Sequence, residues 1–592
     1  MSGRNSLSRR RFLGGMAGGL FVTGLNAALP LPAWALTSPR KIHQGVTRYP
    51  ARSYFDLKFS YSPLVINDKK GRATAINGTV PAPLIRWREG DEVTMDVTNN
   101  MEGTEHASIH WHGVLVPFRM DGVPGVNFDG IQPGETYRYN FRVQQAGTYW
   151  YHSHSRFQEQ TGAYGPLIID PKDGEPFHYD REHVIVLSDW AFEDPETIFR
   201  NIMLDPEYYI YYQRTVFDYL NRIQEEGFAE ANAELLPFRK MNMSPRDLSN
   251  VTGSIYTYLM NGHSPDMNWT GQFDPGETVR LRIINASSMS NFDVRIPGLD
   301  MTVVMKDGKA VKPVGCHEFR IGVAETYDAL IRPAGDKAYT IFAESLDRSG
   351  FTRGTLTPAV GMTAAVPKQR PVPDRTLKDI GMGMMKGDYF GGMSDEMMRK
   401  MHQKRLDMQN PDIDGPKGPM PFMPDKNNPD VAMTVMDPKQ RMDDPGVGLG
   451  NDGWKVLTYK DLRSAEPQPY SPVVDRELTI NVTANMERGI FALDGKKYTE
   501  HPGPYLFRHN ERLRLYLVNH TMMEHPMHLH GMWMQLENGG ENDDIPFVHT
   551  YLLKPGEVAS FRITPIEKGD WAFHCHLLYH MEAGMFQVIR VA

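Results

Sequence analysis

Gly569-Asp-Trp-Ala-Phe-His574-Cys575-His576-Leu-Leu-Tyr-His580-Met-Glu-Ala-Gly-Met585 lies near the end of the 592-residue chain. Its first half reads as a strand, on which successive side chains point to opposite faces. Cys575 then faces one way and His574 and His576 the other. The thiolate can bind one metal ion while its neighbours bind others behind it, joined by a few covalent bonds. A thiolate with imidazoles selects copper or zinc, and the thioether of Met585 favours copper.

Three further clusters extend the pattern: His110-Trp-His112-Gly, His152-Ser-His154 and His525-Pro-Met-His528-Leu-His530-Gly. Each His-x-His pair puts two imidazoles on one face of a strand. Together the four clusters use ten of the 21 histidines. A closed zinc tetrahedron needs only four ligands, so this set is too large for it. His525, Cys575 and His580 with axial Met585 match the blue-copper pattern. Eight histidines remain, enough for three coppers with positions open to oxygen.

The chain also repeats itself. Asn77-Gly78 leads to a strand from Gly90-Asp91 to Asn99, Asn261-Gly262 to one from Gly276-Glu277 to Asn285, and Asp494-Gly495 to one from Asn510-Glu511 to Asn519. A second repeat is Pro133-Gly-Glu135, Pro275-Gly-Glu277 and Pro555-Gly-Glu557, a turn signal before a strand. Gly147-Thr-Tyr-Trp-Tyr-His-Ser-His154 parallels Gly569–His576, with Ser153 where Cys575 stands. Short alternating strands and Gly/Pro turns predict an all-β chain of three β-sandwiches: domain one over 44–175, domain two over 180–365 and domain three over 370–592. The three-copper site then lies between the first and last domains, and the ligand-free middle domain holds them in register.

These clusters resemble the four copper motifs of the multicopper oxidases, and the wider sequence is similar to their bacterial copper-resistance protein A branch. The resemblance implies cupredoxin-like (Greek-key) domains and four copper ions: one type 1, one type 2 and two type 3. It implies that His110 and His528 hold type 2 copper, and that His112, His152, His154, His530, His574 and His576 hold the type 3 pair. Type 1 falls to His525, Cys575, His580 and Met585. It further implies one-electron oxidation of a substrate coupled to reduction of dioxygen to water. Asp121 stands where relatives carry an acid near the cluster and is expected to relay protons. The second acid of some relatives is replaced here by Met581, which leaves the adjacent Glu582 as the candidate.

The remaining composition bounds the setting. A net charge of −8 disfavours nucleic acid as a partner. Of two cysteines, Cys575 is committed to copper, and Cys316 reads as a buried small hydrophobe. Ser8-Arg-Arg-Arg11-Phe-Leu13, an apolar stretch and Ala33-Trp-Ala35 predict a twin-arginine signal over 1–35 and a periplasmic protein, with no membrane span after it. A single chain is expected, with periplasmic copper-handling proteins as partners.

Two insertions interrupt the β pattern. Residues 196–247 read as helical. Residues 382–442 are methionine-rich and include Met382, Met384, Met385, Met393, Met397 and Met401, and thioethers select Cu(I). With Met523 and Glu524 beside His525, these are the candidate contacts for substrate copper. Cu(I) is the expected substrate; the alternatives are a laccase-like oxidase of phenols and a copper-sequestering protein with little turnover.

Overall fold

The computed structural model describes residues 52–240, 244–382 and 438–592, with short stretches between 419 and 435. The signal segment and Met384, Met385, Met393, Met397 and Met401 lie outside the described residues.

Among the described residues, six sheets pair into three sandwiches. In the first, Lys69–Ile76, Tyr54–Ile66, Glu92–Asn99 and Thr136–Arg142 form one sheet, and Ile85–Arg88, Tyr164–Asp170, Gly147–His152 and His110–His112 the other. The middle sandwich has two six-stranded sheets. In the third, a sheet of six strands that includes Arg476–Asn485 and Leu513–Asn519 faces one of five that includes Gly569–Cys575 and His525–Leu529.

The repeated asparagines explain why one pattern recurs. Asn99, Asn285 and Asn519 are all fully buried. Each side chain donates twice, to Glu105 O and Ile131 O, to Ser290 O and Ile321 O, and to Met523 O and Leu553 O. Each also accepts from the backbone two residues on, at Met101, Ser287 and Thr521. A buried amide with its bonds filled pins the loop after the strand. The turn residues Asn77, Asn261 and Asp494 act alike: φ is 53°, 52° and 50°, and their side chains accept from Lys58, Val186 and Asn481 N–H.

The second repeat needs correction in its middle copy. Gly134 N–H donates to Asn99 O and Gly556 N–H to Asn519 O. The group that does this for Asn285 is Ala324, at φ 70°. The structural counterpart is therefore Val323-Ala-Glu325, and Pro275-Gly-Glu277 is a different turn.

The predicted start of domain three at residue 370 also shifts. Arg370 bonds Glu344 and Glu318, and Val456–Leu457 pairs with Glu318–Ile321 of the middle sandwich. Among the described residues, the first strand of the third sandwich is Arg476–Asn485.

The helical insertion holds α1 (Pro195–Leu204), α2 (Val216–Glu226) and α3 (Phe228–Lys240). Asp194 caps α1 and a Thr215–Asp218 capping box starts α2. Cys316 is buried, as expected, and burial pushes its thiol up to about 12.

The middle sandwich grips both neighbours. Arg282 donates to Thr148, which donates to Asp328. Asp307 accepts from the backbone N–H of His549 and Thr550. Gly147, at φ 140°, sits so close to Gly308 that a Cβ would lie 2.3 Å from its carbonyl oxygen. Any side chain there would separate the first two sandwiches.

Its core also carries an acid sensitivity. His183 is buried beside Trp269 with its Nε2 bonded to Gln272 O, and burial holds its pKa down at about 4. The folded form therefore stays neutral while the unfolded form protonates below about 6.5. That contribution is complete above pH 6.5 and is lost as pH falls towards 4, about 3 kcal/mol in all. Acid unfolding of His183→Gln should be shallower over this window; an unchanged dependence would remove His183 as a contributor.

Candidate copper centre

The histidine strands meet where the first and third sandwiches face each other. His110 lies opposite His152 in one sheet and His528 opposite His574 in another, so the repeat in sequence is a repeat in register. The buried nitrogens converge in sets within 4.8 Å: His112, His152 and His576; His154, His530 and His574; and His110 and His528 with His112 again in reach. His530 and His574 Nε2 atoms are 3.0 Å apart, His154 and His574 3.4 Å, and His110 and His528 3.5 Å. His154 and His574 are separated by 420 residues of chain.

A fourth set lies on the other face of the Gly569–Cys575 strand. Cys575 Sγ is 3.5 Å from His525 Nδ1 and 3.8 Å from His580 Nδ1. The short helix α4 (Leu578–Glu582) carries His580 back towards the thiol. Met585 is fully buried, its N–H bonded to His580 O and its O to Cys575 N–H. In the first sandwich the matching position holds Ser153, whose hydroxyl donates to Gln158.

These groups fit a metal ion. His112 Nδ1, His152 Nε2 and His576 Nε2 are buried with no partner, and such orphans are rare and costly. Burial and neighbouring imidazoles hold most of these histidines well below their ordinary pKa, His574 at about 4, and burial with Arg375 holds His525 at about 3. Neutral imidazole is the form that ligates. Burial raises the Cys575 thiol, and a bound metal reverses that by stabilising the thiolate.

Two carboxylates face the histidines from opposite sides. Asp121 Oδ2 accepts from His530 Nδ1 at 2.9 Å, and its Oδ1 lies 3.2 Å from His110 Nδ1. Asn127 Nδ2 donates to the same carboxylate. On the far side Glu159 Oε2 is 2.9 Å from His152 Nδ1, and its Oε1 is 3.8 Å from His576 Nδ1. Burial pushes the Glu159 carboxyl well above the usual range. It borders a cavity of about 10 Å³ lined by His152, His154, His574 and His576, roughly the space of one water.

Glu159 was missed in the sequence, where it reads as one of three polar residues in Gln158-Glu-Gln160. The candidate Glu582 has Arg156 and Glu196 as its charged neighbours, and the carboxylates within reach of the cluster histidines are Asp121 and Glu159. Met523 and Glu524 are buried as well, and Arg320 binds the Glu524 carboxylate at 3.0 Å. Met382 packs into the core. Asn250, also unforeseen, accepts from His580 Nε2 at 2.7 Å.

Three sandwiches around one shared histidine cluster, with a cysteine strand linking it to a second site, define a copper oxidoreductase. The chain belongs to the multicopper oxidase family: domains described as multicopper oxidase match residues 58–174, 238–368 and 470–592. It is 46% identical to a copper resistance protein A homolog of Pseudomonas syringae pv. tomato and 43% identical to copper resistance protein A of Escherichia coli, each over 99% of both chains. Among solved structures it is similar to Fet3p, a multicopper oxidase that functions in iron import (TM-score 0.62, 20% identity, 91% of this chain and 90% of that one).

Proposed function

We propose that this chain is a periplasmic cuprous oxidase, coupling oxidation of Cu(I) to the four-electron reduction of dioxygen to water in copper resistance. The observation that carries it is the placement of Cys575 between two sites: its sulfur faces His525 and His580, while its chain neighbours His574 and His576 reach the shared cluster. The copper-resistance relatives and the soft donors in the sequence support Cu(I) as the substrate. The twin-arginine segment supports the periplasm, and among the described residues no helix is long and apolar enough to cross a membrane.

His525, Cys575, His580 and Met585 would hold type 1 copper, and His110 and His528 type 2. The two remaining triples would hold the type 3 pair. Bound there, copper supplies the one-electron steps and the reduction of dioxygen. The chain supplies the rest. Cys575 and its flanking peptide bonds form the covalent bridge between sites. Asp121 fixes His530 through its carboxylate and His110 through its backbone carbonyl, each at Nδ1, which turns Nε2 inward. Ser153 O does the same for His152, with Glu159 Oε2 beside that nitrogen at 2.9 Å. Water formation consumes four protons per dioxygen, and the Asp121 and Glu159 carboxyl oxygens are the acids placed to hold and pass them. The methionine-rich segment 382–442 would collect Cu(I) before it reaches the type 1 site.

The test is oxygen uptake by copper-loaded protein given Cu(I) or a phenol. Leucine at Met384, Met385, Met393, Met397 and Met401 should lower Cu(I)-driven uptake several-fold and leave phenol oxidation intact. No uptake with Cu(I) despite full copper loading would favour sequestration. Equal loss with both donors would exclude the segment as the Cu(I) collector.

A further inference from the structure

Most of the cluster histidines are held by Nδ1. That nitrogen is bonded to Asp121 O in His110, Ser153 O in His152, His549 O in His528, Asp121 Oδ2 in His530 and Cys575 O in His574, at 2.7–3.0 Å. Nε2 is left to face inward. His112 is turned the other way. Its Nε2 lies 3.2 Å from His549 Nδ1 and 3.1 Å from Thr550 Oγ1, and its Nδ1 is buried without a partner. The orphaned nitrogens His112 Nδ1, His152 Nε2 and His576 Nε2 all belong to one set of histidines within metal-binding reach. His112 therefore serves that set through Nδ1 and carries its proton on Nε2.

That proton needs an acceptor, and His549 provides it. His549 Nδ1 is also 3.0 Å from Thr550 Oγ1, so three atoms form a triangle whose protons can be counted. His112 Nε2 brings one and the Thr550 hydroxyl another. The hydroxyl cannot give its proton to His528 Nδ1, 3.3 Å away, because that nitrogen already donates to His549 O. Both protons are accommodated when His549 Nδ1 is bare and accepts. The ring is enclosed, 1% exposed, against Trp533 and Tyr149. Gly113, next to His112, makes room for it: at φ 78° a Cβ there would stand 2.3 Å from His549 Cδ2. The backbone is anchored from the middle sandwich. Asp307 Oδ2 accepts from His549 and Thr550 N–H, while Lys306 Nζ and Thr326 N–H hold its Oδ1.

We propose that His549 is a positioning residue of the shared cluster, which selects Nδ1 of His112 as the ligating nitrogen, and that Asp307 of the middle sandwich holds it in place. This rests on the reading of the histidine sets as copper sites. One residue then orients two histidines from different sandwiches, His112 of the first through its ring and His528 of the third through its carbonyl. The middle sandwich reaches the cluster through two hydrogen bonds, Asp307 to His549 and His549 to His112.

Two substitutions separate this role from packing. His549→Phe keeps a ring against Trp533 and loses the acceptor. His549→Asn loses the ring and keeps an acceptor oxygen at the position of Nδ1. Each copper-loaded variant is dialysed against a chelator, and copper per chain, blue absorption and Tm are read. His549→Phe should bind copper at the His112, His152 and His576 set about tenfold more weakly and keep fewer coppers per chain. Its blue absorption should be unchanged, because Cys575 faces the other side of its strand. His549→Asn should keep the wild-type copper content although its Tm is lower. The reverse order, with copper kept by Phe and lost by Asn, would make residue 549 a matter of packing and overturn the proposal. Equal loss in both variants, or full copper retention in both, would overturn it as well. A wild-type chain that turns blue but takes up no further copper would instead remove the copper reading of the cluster, on which the proposal stands.

Discussion

Cys575→Ser should lose the intense blue absorption of the copper–thiolate bond and at least about 10³-fold in oxygen uptake with any donor, a barrier increase of roughly 4 kcal/mol. The size follows from two roles carried by one side chain. The sulfur is a ligand of the site that accepts electrons, and its backbone is the bridge to His574 and His576. A serine hydroxyl is nearly the same size, and Cys575 is fully buried in a packed strand, so the fold should hold. The eight cluster histidines face the other side of that strand or stand on other segments, and the bonds that hold them, such as those of His530 to Asp121 and of His152 to Ser153 O, do not involve the sulfur. Metal analysis should therefore find the shared cluster still loaded. Oxygen uptake that survived in the serine variant would mean electrons reach the cluster by a route that avoids residue 575.

What the sequence revealed and what it hid have different physical origins. His-x-His pairs were legible because strand periodicity alone puts both rings on one face. The three sandwiches were legible because Asn99, Asn285 and Asn519 perform one local task, filling the bonds of a loop just beyond their own strand. Where a task depended on backbone conformation instead of residue type, the pattern misled. Ala324 adopts the left-handed turn that Gly134 and Gly556 adopt, with no glycine to announce it. Glu159 and Asn250 were illegible for another reason. Each acts across a domain boundary, Glu159 towards His576 and Asn250 towards His580, and no spacing along the chain encodes a contact between sandwiches. Glu582 shows the same limit: it follows His580 in sequence, but the charges that act on it are Arg156 and Glu196. Glu524 sits one residue before His525, and its charge answers to Arg320 of the middle sandwich.

Glu159 supports the second large prediction, because its two functions can be separated. Ser153 O is bonded to His152 Nδ1 at 2.9 Å and Glu159 Oε2 lies against the same nitrogen at 2.9 Å, which leaves Nε2 free to face a metal. Glutamine keeps a polar oxygen against the ring, whereas alanine leaves Ser153 O alone to orient it. Glu159→Ala should therefore weaken copper at the His112, His152 and His576 set by about 10-fold, read as fewer coppers per chain after dialysis. Glu159→Gln should keep its copper and its blue absorption but carry no acid proton, and its oxygen reduction should slow by about 10²-fold. A spectroscopic sign accompanies that loss: with excess Cu(I) and air, the blue centre should stay bleached during turnover, because reoxidation has become the slow step. Asp121→Asn offers the comparison on the opposite side. It can still accept from His530 Nδ1, so it too should keep copper and turn over slowly. If Glu159→Gln turned over at the wild-type rate while Asp121→Asn did not, the protons would all come from the Asp121 side, and Glu159 would be left only with holding His152.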